Sequence, residues 1–355
     1  MAERGARWRW LRPAALLLLL APLVAEVVAS SNTPAVLFPV VLPLLVLVYG
    51  LPVLLARELW ARRGLGALAF LVIALGYTAF NEGVVAATWF KLDPETSKVL
   101  VFTAEEVGRT GGVNWALVSG LTTYHGLWSV ALPIALVELW LGERPERGRP
   151  WLPRWAIALS TAVVAFVAVG SLSAESTERV CEAATREGFA ACADGRRWAL
   201  VVVAAAAVLA LALAHRPAGR RRAARRPADA ALVWIGAGFA TAFFLVHFVL
   251  PLAGQPEAAV VSGIVLLISA VAAVSRWRTA ATWDDHAAVR LLTGALIPGM
   301  LSSLNAIVVL QPIAVGLFAW FFLRPLHQRT AAARTAGARG GASPQVRPWT
   351  GYSSS

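Results

Sequence analysis

Charge is what this sequence has little of. Only 15% of its 355 residues are charged, with twenty carboxylates, five histidines, two cysteines and, among the basic residues, two lysines. A soluble domain of this size carries about 25% charged residues to keep its surface wet, so a water-exposed globule is excluded. Two cysteines exclude a disulfide-rich scaffold and a four-cysteine zinc site. What fills the chain instead is apolar: 58% hydrophobic residues, recurring in runs of roughly 18 or more, long enough to cross a bilayer. Segment 35–56, AVLFPVVLPLLVLVYGLPVLLA, has no polar face at all, which a helix on a soluble core would show.

The fold class that follows is all-α, a polytopic transmembrane helix bundle of about ten spans. Hydropathy and turn residues place them near 11–29, 36–56, 65–90, 115–140, 152–172, 198–214, 230–251, 258–275, 289–304 and 306–323. The run from Leu291 to Leu323 is interrupted by Pro298-Gly299, Asn305 and Gln311-Pro312, so two short helices, a re-entrant hairpin and one broken element are all open. Two spans are preferred, because the basic segments then fall on one side. Those segments carry 25 of the 32 basic residues, and the positive-inside rule makes both termini cytoplasmic. Residues 1–326 form the bundle and 327–355 a basic, disordered cytoplasmic tail with nothing to bury.

The net charge of +12 is therefore a topology signal and not a nucleic-acid footprint. The cluster HRPAGRRRAARRP at 215–227 is a stop-transfer signal first; it could also hold anionic lipid headgroups. The first thirty residues carry signal-peptide features, a basic start and a small-residue VAS-S end. Glu26 inside the apolar stretch, and the multi-spanning chain after it, favour a retained helix in the plasma membrane. Cys181 and Cys192 share one outward loop, where a disulfide would close about a dozen residues. In the outer loop 91–114, Glu105, Glu106 and Arg109 read as a solvated face.

Polar residues inside the spans are the functional candidates, because an ionisable group at that depth is costly unless paired or wetted. Glu138 lies near a cytoplasmic helix end, where Arg57 or Arg144 can meet it. Glu26, Glu82, His125 and His247 all fall in outer halves. At about 1.5 Å per residue, Glu82 is about 12 Å below Phe90, His125 about 15 Å below Trp115, and Glu26 and His247 about 5 to 6 Å below their helix ends. Gly76, Ala79, Gly83 and Ala86 give the Glu82 helix a face that another backbone can approach closely. Thr78 and Asn81 lie near Glu82, while Thr122 and Ser129 flank His125 at i−3 and i+4. Consecutive antiparallel helices can then join Glu82 to His125. A desolvated glutamate bonded to a histidine and reached by water is a credible general base.

The ordered set of Asn81-Glu82, LTTYH ending in His125, and His247 resembles the CAAX-processing and bacteriocin-processing intramembrane proteases. Their pattern runs EExxxR, FxxxH, then HxxxN or HxxxD. This chain has Asn81 for the first glutamate, Leu121 for the aromatic and Pro251 four residues after His247. The resemblance implies that Glu82 acts as base while His125 and His247 hold water or stabilise an oxyanion. NEG at 81–83 and the run GVNWALVSGLTTYHGLWSVALPIALVELW are also similar to uncharacterised actinobacterial multi-pass membrane proteins. Three classes of function stay open: an intramembrane hydrolase on Glu82, His125 and His247, an ion-coupled carrier with Glu82 as the coupling carboxylate, and a structural protein whose polar pairs lock helices together. Cofactor use stays open, and one Glu and two His could hold zinc only if their helices converge.

Overall fold

A chain surrounded by hydrocarbon must satisfy its backbone within each segment, and helices supply nearly all of the secondary structure seen here. The computed structural model describes residues 11–29, 33–63, 66–90, 109–142, 150–181, 186–213, 226–278, 280, 283–303 and 310–339. Helices α1 (Leu11–Val28), α2 (Phe38–Arg63), α3 (Ala67–Val85) and α4 (Trp115–Leu141) come first. They are followed by α5 (Arg154–Ser171), the short α6 (Ala174–Val180) and α7 (Arg186–Leu213). Helix α8 starts as Asp229–Phe244 and runs on through Leu245–Val249 and Leu250–Leu252. Then come α9 (Pro256–Trp277), α10 (Asp285–Ser303) and α11, which joins Leu310–Phe318, Ala319–Leu323 and Arg324–Arg339 without a break. The protein is an all-α polytopic bundle.

Eight helices, α1 to α5 and α7 to α9, are long and apolar enough to cross a membrane. Helices α10 and α11 are separate elements outside that set, so the expected count of about ten exceeds the spans recognised by length and composition. The physical reason is visible in α10, which carries His286, Arg290 and Pro298 and packs its backbone onto α8. A Cβ on Gly236 would stand 2.3 Å from the Leu291 carbonyl oxygen, and one on Gly294 only 2.1 Å from that of Val233. Only glycine permits so close a crossing. The junction at 304–309, with Asn305, lies outside the described residues, as do the arginine run 214–225 and the loop residues Glu105 and Glu106.

The small-residue face of α3 is used in the same way. Gly76 and Gly83, seven apart, meet Ala206 and Ala199 on α7, where added Cβ atoms would come within 2.7 and 2.6 Å. On the other side, Gly126 of α4 closes on Ala74 of α3. Helix α3 is therefore held between α7 and α4, while Val40, Phe166 and Trp234 turn outward to the lipid that so apolar a surface requires.

At the opposite end, buried Arg57 of α2 sits between Glu138 of α4 at 3.2 Å and Glu58 at 3.0 Å. Its guanidinium lies 3.5 Å from the centroid of the Trp151 ring. The expected tail boundary at residue 327 falls inside α11. That helix continues to Arg339 because Arg334 bridges Asp229 at the start of α8 and Asp284 before α10, the latter at 2.7 Å. Residues 340–355 lie outside the described set.

Candidate functional site

Six short stretches depart from α-geometry into the wider π-helical turn: Leu23–Val28, Val46–Gly50, Ala79–Val85, His125–Ala131, Leu245–Val249 and Ala319–Leu323. Such turns are rare and concentrate at functional sites. The first four hold Glu26, Tyr49, Glu82 and His125 respectively, one from each of the first four helices. The fifth holds His247.

Glu82 Oε1 and His125 Nε2 are 2.8 Å apart. The carboxylate is fixed on both oxygens: the Asn81 amide donates to Oε1 at 3.3 Å and the Thr88 hydroxyl to Oε2 at 2.5 Å. On the far side of the imidazole, Nδ1 is 2.8 Å from the Ser129 hydroxyl. With the carboxyl ionised, Nε2–H donates to Glu82 and Nδ1 accepts from Ser129; with the carboxyl protonated, the Nε2 role reverses. The chain of groups Glu82, His125, Ser129 can therefore pass a proton without any side chain moving far. Ser129 and His125 are sealed, at 0% and 2% exposure, whereas Glu82 retains 8%. Glu82 is the least deeply buried member of this chain.

The helix geometry around Glu82 differs from the expected span to residue 90. Helix α3 stops at Val85, because Ala87 takes a left-handed φ of 55°, a conformation that no helix continues through. Glu82 is consequently about 4.5 Å from its helix end, much shallower than expected. Thr88 can reach back to it only because of this reversal. The reversal is clamped by Arg196 of α7, which is fully buried. Its Nε and Nη2 donate to the Val84 carbonyl at 2.9 and 2.7 Å, its Nη1 to Thr177 at 3.1 Å, and Nη2 also to the Ser171 carbonyl. A carbonyl in the last helical turn has no intrahelical donor, and Arg196 supplies one. Beside it, Cys181 and Cys192 form a disulfide that ties α6 to α7. Next in the chain, Arg109–Thr110 and Val113–Asn114 pair as a hairpin through Gly111 and Gly112. Arg109 folds back onto the Phe90 and Gly112 carbonyls at 3.3 and 2.8 Å.

The other expected site residues divide. Glu26 is buried and accepts from the Thr33 hydroxyl at 2.8 Å. Thr78 donates to its own helix, to the Ala74 carbonyl at 2.8 Å, and not to Glu82. The Thr122 hydroxyl is buried without a hydrogen bond among the described residues. His247 stands apart from the Glu82–His125 bond, in a slot formed by Gly120 of α4, Gly263 of α9 and the Phe243 ring. Ring contacts run from His247 through Phe243 and Tyr124 to His125, so two aromatic rings stand between the imidazoles. Among the described residues no three His, Cys, Asp or Glu side chains are grouped to hold a metal ion.

Tyrosine was the missed residue type. The chain has four, and Tyr49, Tyr77 and Tyr124 all pack on His125, with ring centroids 5.9, 5.5 and 5.2 Å away. Their scarcity and placement in apolar spans are the signal that could have found them, since a buried phenol needs a hydrogen-bonding reason to be there. Comparison with protein-family models, with curated proteins and with solved structures finds no match.

Proposed function

We propose that this multi-pass membrane protein is an intramembrane hydrolase in which Glu82, coupled to His125, activates water at the outer end of α3. The observation that carries this reading is the 2.8 Å contact between Glu82 Oε1 and His125 Nε2, with the glutamate the least deeply buried group of the chain that ends at Ser129. Glu82 takes a proton from the attacking water, His125 disperses the charge, and Asn81 and Thr88 fix the carboxylate's orientation. His247 supports the site through packing, which departs from the role the protease resemblance implies for it. The orientation we assign, with both termini cytoplasmic in the plasma membrane, places Glu82 on the outer side. It is supported by Arg57, Arg278, Arg324 and Arg329, which stack on Trp151, Trp60, Trp320 and Trp140 at the opposite ends of the helices, where anionic lipid headgroups would also be met.

The test is comparative. Membranes holding the wild type or Glu82→Gln are incubated in heavy-oxygen water, and their peptides are read by mass spectrometry. Hydrolysis predicts new C-termini carrying the heavy oxygen only with the wild type; identical profiles refute it. A second reading, an ion-coupled carrier, is favoured by the second buried carboxylate, Glu26. It predicts acid-driven uptake into vesicles that Glu82→Gln abolishes. The close seat of the last helices weighs against it: Gly299 abuts the Ala29 backbone, and Gln311 bonds the Val27 carbonyl at 2.7 Å and the Ala35 N–H at 2.8 Å.

A further inference from the structure

Helix α6 is held from outside itself. It is seven residues long, too short to be stable alone in water, and none of the seven is buried. Two rungs join it to the first turns of α7. One is the disulfide from Cys181, the C-cap of α6, to Cys192; the other is the 3.1 Å hydrogen bond from Arg196 Nη1 to the Thr177 hydroxyl. Thr177 and Cys181 are four residues apart, as are Cys192 and Arg196, so each pair shares one helix face and the rungs lie one turn apart.

Arg196 is where these rungs meet the Glu82 turn. Among the described residues its guanidinium has three acceptors: the Val84 carbonyl on α3, the Ser171 carbonyl at the end of α5 and the Thr177 hydroxyl on α6. The last two lie on the stretch that the disulfide ties back to α7. With that tie open, a fully buried cation would lose two of its three acceptors, which burial penalises heavily. Opening toward water would relieve the cation and release Val84. The same part of α7 also seats the reversal itself, since the Phe90 ring rests on Gly195, where an added Cβ would stand 2.5 Å from it. Ala86 and Phe90, whose N–H groups bond the Asn81 and Ala87 carbonyls at 2.8 and 3.0 Å, frame the turn that brings Thr88 to Glu82 Oε2.

We propose that the Cys181–Cys192 bond is a maturation latch for the Glu82 site: it closes the seat of Arg196 and thereby fixes the turn that carries Thr88. Its effect on cleavage rests on the hydrolase reading, and its timing on the outward placement of this end of the bundle. The closing step is thiol–disulfide exchange with a disulfide-bearing oxidant outside the cytoplasm. One cysteine, as thiolate, attacks a sulfur of the oxidant and expels the other; the second cysteine then attacks the mixed disulfide and expels the remaining oxidant sulfur. The chain gives up two electrons and two protons, and the oxidant leaves with its disulfide reduced to two thiols. In the finished fold both cysteines are 2% exposed, so a reducing thiolate is kept from them and the latch stays shut. The site is thereby left unassembled until this end of the chain has crossed the membrane.

The experiment uses full-length protein in lipid nanodiscs and reads hydrogen exchange at Ala86 and Phe90, with α9 as the internal reference. Wild type is compared with the Cys181→Ser, Cys192→Ser double variant, with Thr177→Val, with Arg196→Met, and with Arg196→Met combined with both serines. Opening the disulfide is expected to lower protection at Ala86 and Phe90 by about tenfold or more, the scale of one charge-assisted hydrogen bond, while α9 is unchanged. With Arg196→Met already present, the two serines lower it no further, because the path from sulfur to turn has been cut. Equal losses with and without Arg196 mean that the disulfide acts on the bundle as a whole, and they overturn the latch; wild-type protection in the double variant does the same. Should the double variant not fold, Thr177→Val decides, because it keeps the disulfide and removes the neighbouring rung: lowered protection at the two amides supports the proposal and unchanged protection refutes it. Heavy-oxygen labelling separates the two readings. Cleavage by wild type and double variant alike retains the hydrolase and discards the latch; coupled loss of protection without cleavage by the wild type retains the latch on the turn and discards the hydrolase.

Discussion

Replacing Arg196 by methionine tests whether the reversal after α3 is what positions Glu82. The side chain keeps its apolar stem but loses the guanidinium and with it every donor. The Val84 and Ser171 carbonyls, which receive its guanidinium, would be left buried and without it. Each such group costs about 1–3 kcal/mol when stranded. The outer end of the bundle is close to water, which can recover part of the loss, so the expected destabilisation is about 2–4 kcal/mol. Arg196→Lys should fall between, because one ammonium cannot span both carbonyls in the planar fork that arginine presents. The assay is equilibrium unfolding of the purified protein in mixed micelles, with the disulfide intact throughout. In parallel, the protection of the Ala86 to Phe90 amides against hydrogen exchange should drop in the methionine variant, while that of α9 stays unchanged. Wild-type stability together with wild-type protection of this turn would refute the clamp.

At Gly83, substitution by valine should separate α3 from α7, because even a Cβ would come within 2.6 Å of Ala199. An overpacking cost of about 1–3 kcal/mol is expected, whereas Gly170→Ala, with open space around it, should be neutral; equal effects in unfolding experiments would contradict the packing described. The docking of the C-terminal part of α11 should weaken in acid. Burial first, then Arg334 and Arg290, holds the His286 imidazole below its ordinary range, and burial followed by His286 and Arg290 does the same for His327. Because the folded values are depressed, the stabilisation is complete above the unfolded value of about 6.5 and is lost as pH falls through the folded values. Limited proteolysis between Arg324 and Arg339 should therefore accelerate below that pH, and a rate flat with pH would refute the idea.

Burial of an acid among apolar residues is written in the sequence itself, and so Glu82 and His125 could be chosen before any coordinate was known. The glycine and alanine spacing on α3 also pointed to a close neighbour, which proved to be α7. What could not be read was where the helix stops. Nothing in TAFNEGVVAATWF announces that Ala87 turns left-handed, since alanine ordinarily favours the helix and the reversal is imposed by a distant arginine. Arg196 and Arg197 are neighbours in the sequence, and only the fold separates the buried one from the exposed one. His247 was drawn toward the site by its depth in the outer half of its span and by the protease resemblance. Its slot between two glycines on different helices depends on how α4, α8 and α9 cross, which no local pattern encodes. Helices α10 and α11 fall outside the eight described helices that are long and apolar enough to cross a membrane, and the close seat of α10 on Gly236 of α8 is likewise a matter of how helices cross.

The π turns carry a consequence for how this chain can vary in length. Each fits one residue more into a turn than the helix on either side, so everything beyond it is rotated about the axis by about 100° relative to an uninterrupted helix. In α4, the residues before His125 and those after Ala131 are thus aligned to different partners. Deleting a single residue inside such a turn would leave a regular, equally hydrophobic helix that still crosses the membrane but swings one half of its side chains onto the wrong neighbours. Insertions and deletions should accordingly be tolerated in the connecting loops and refused at these six turns, however alike the apolar residues look.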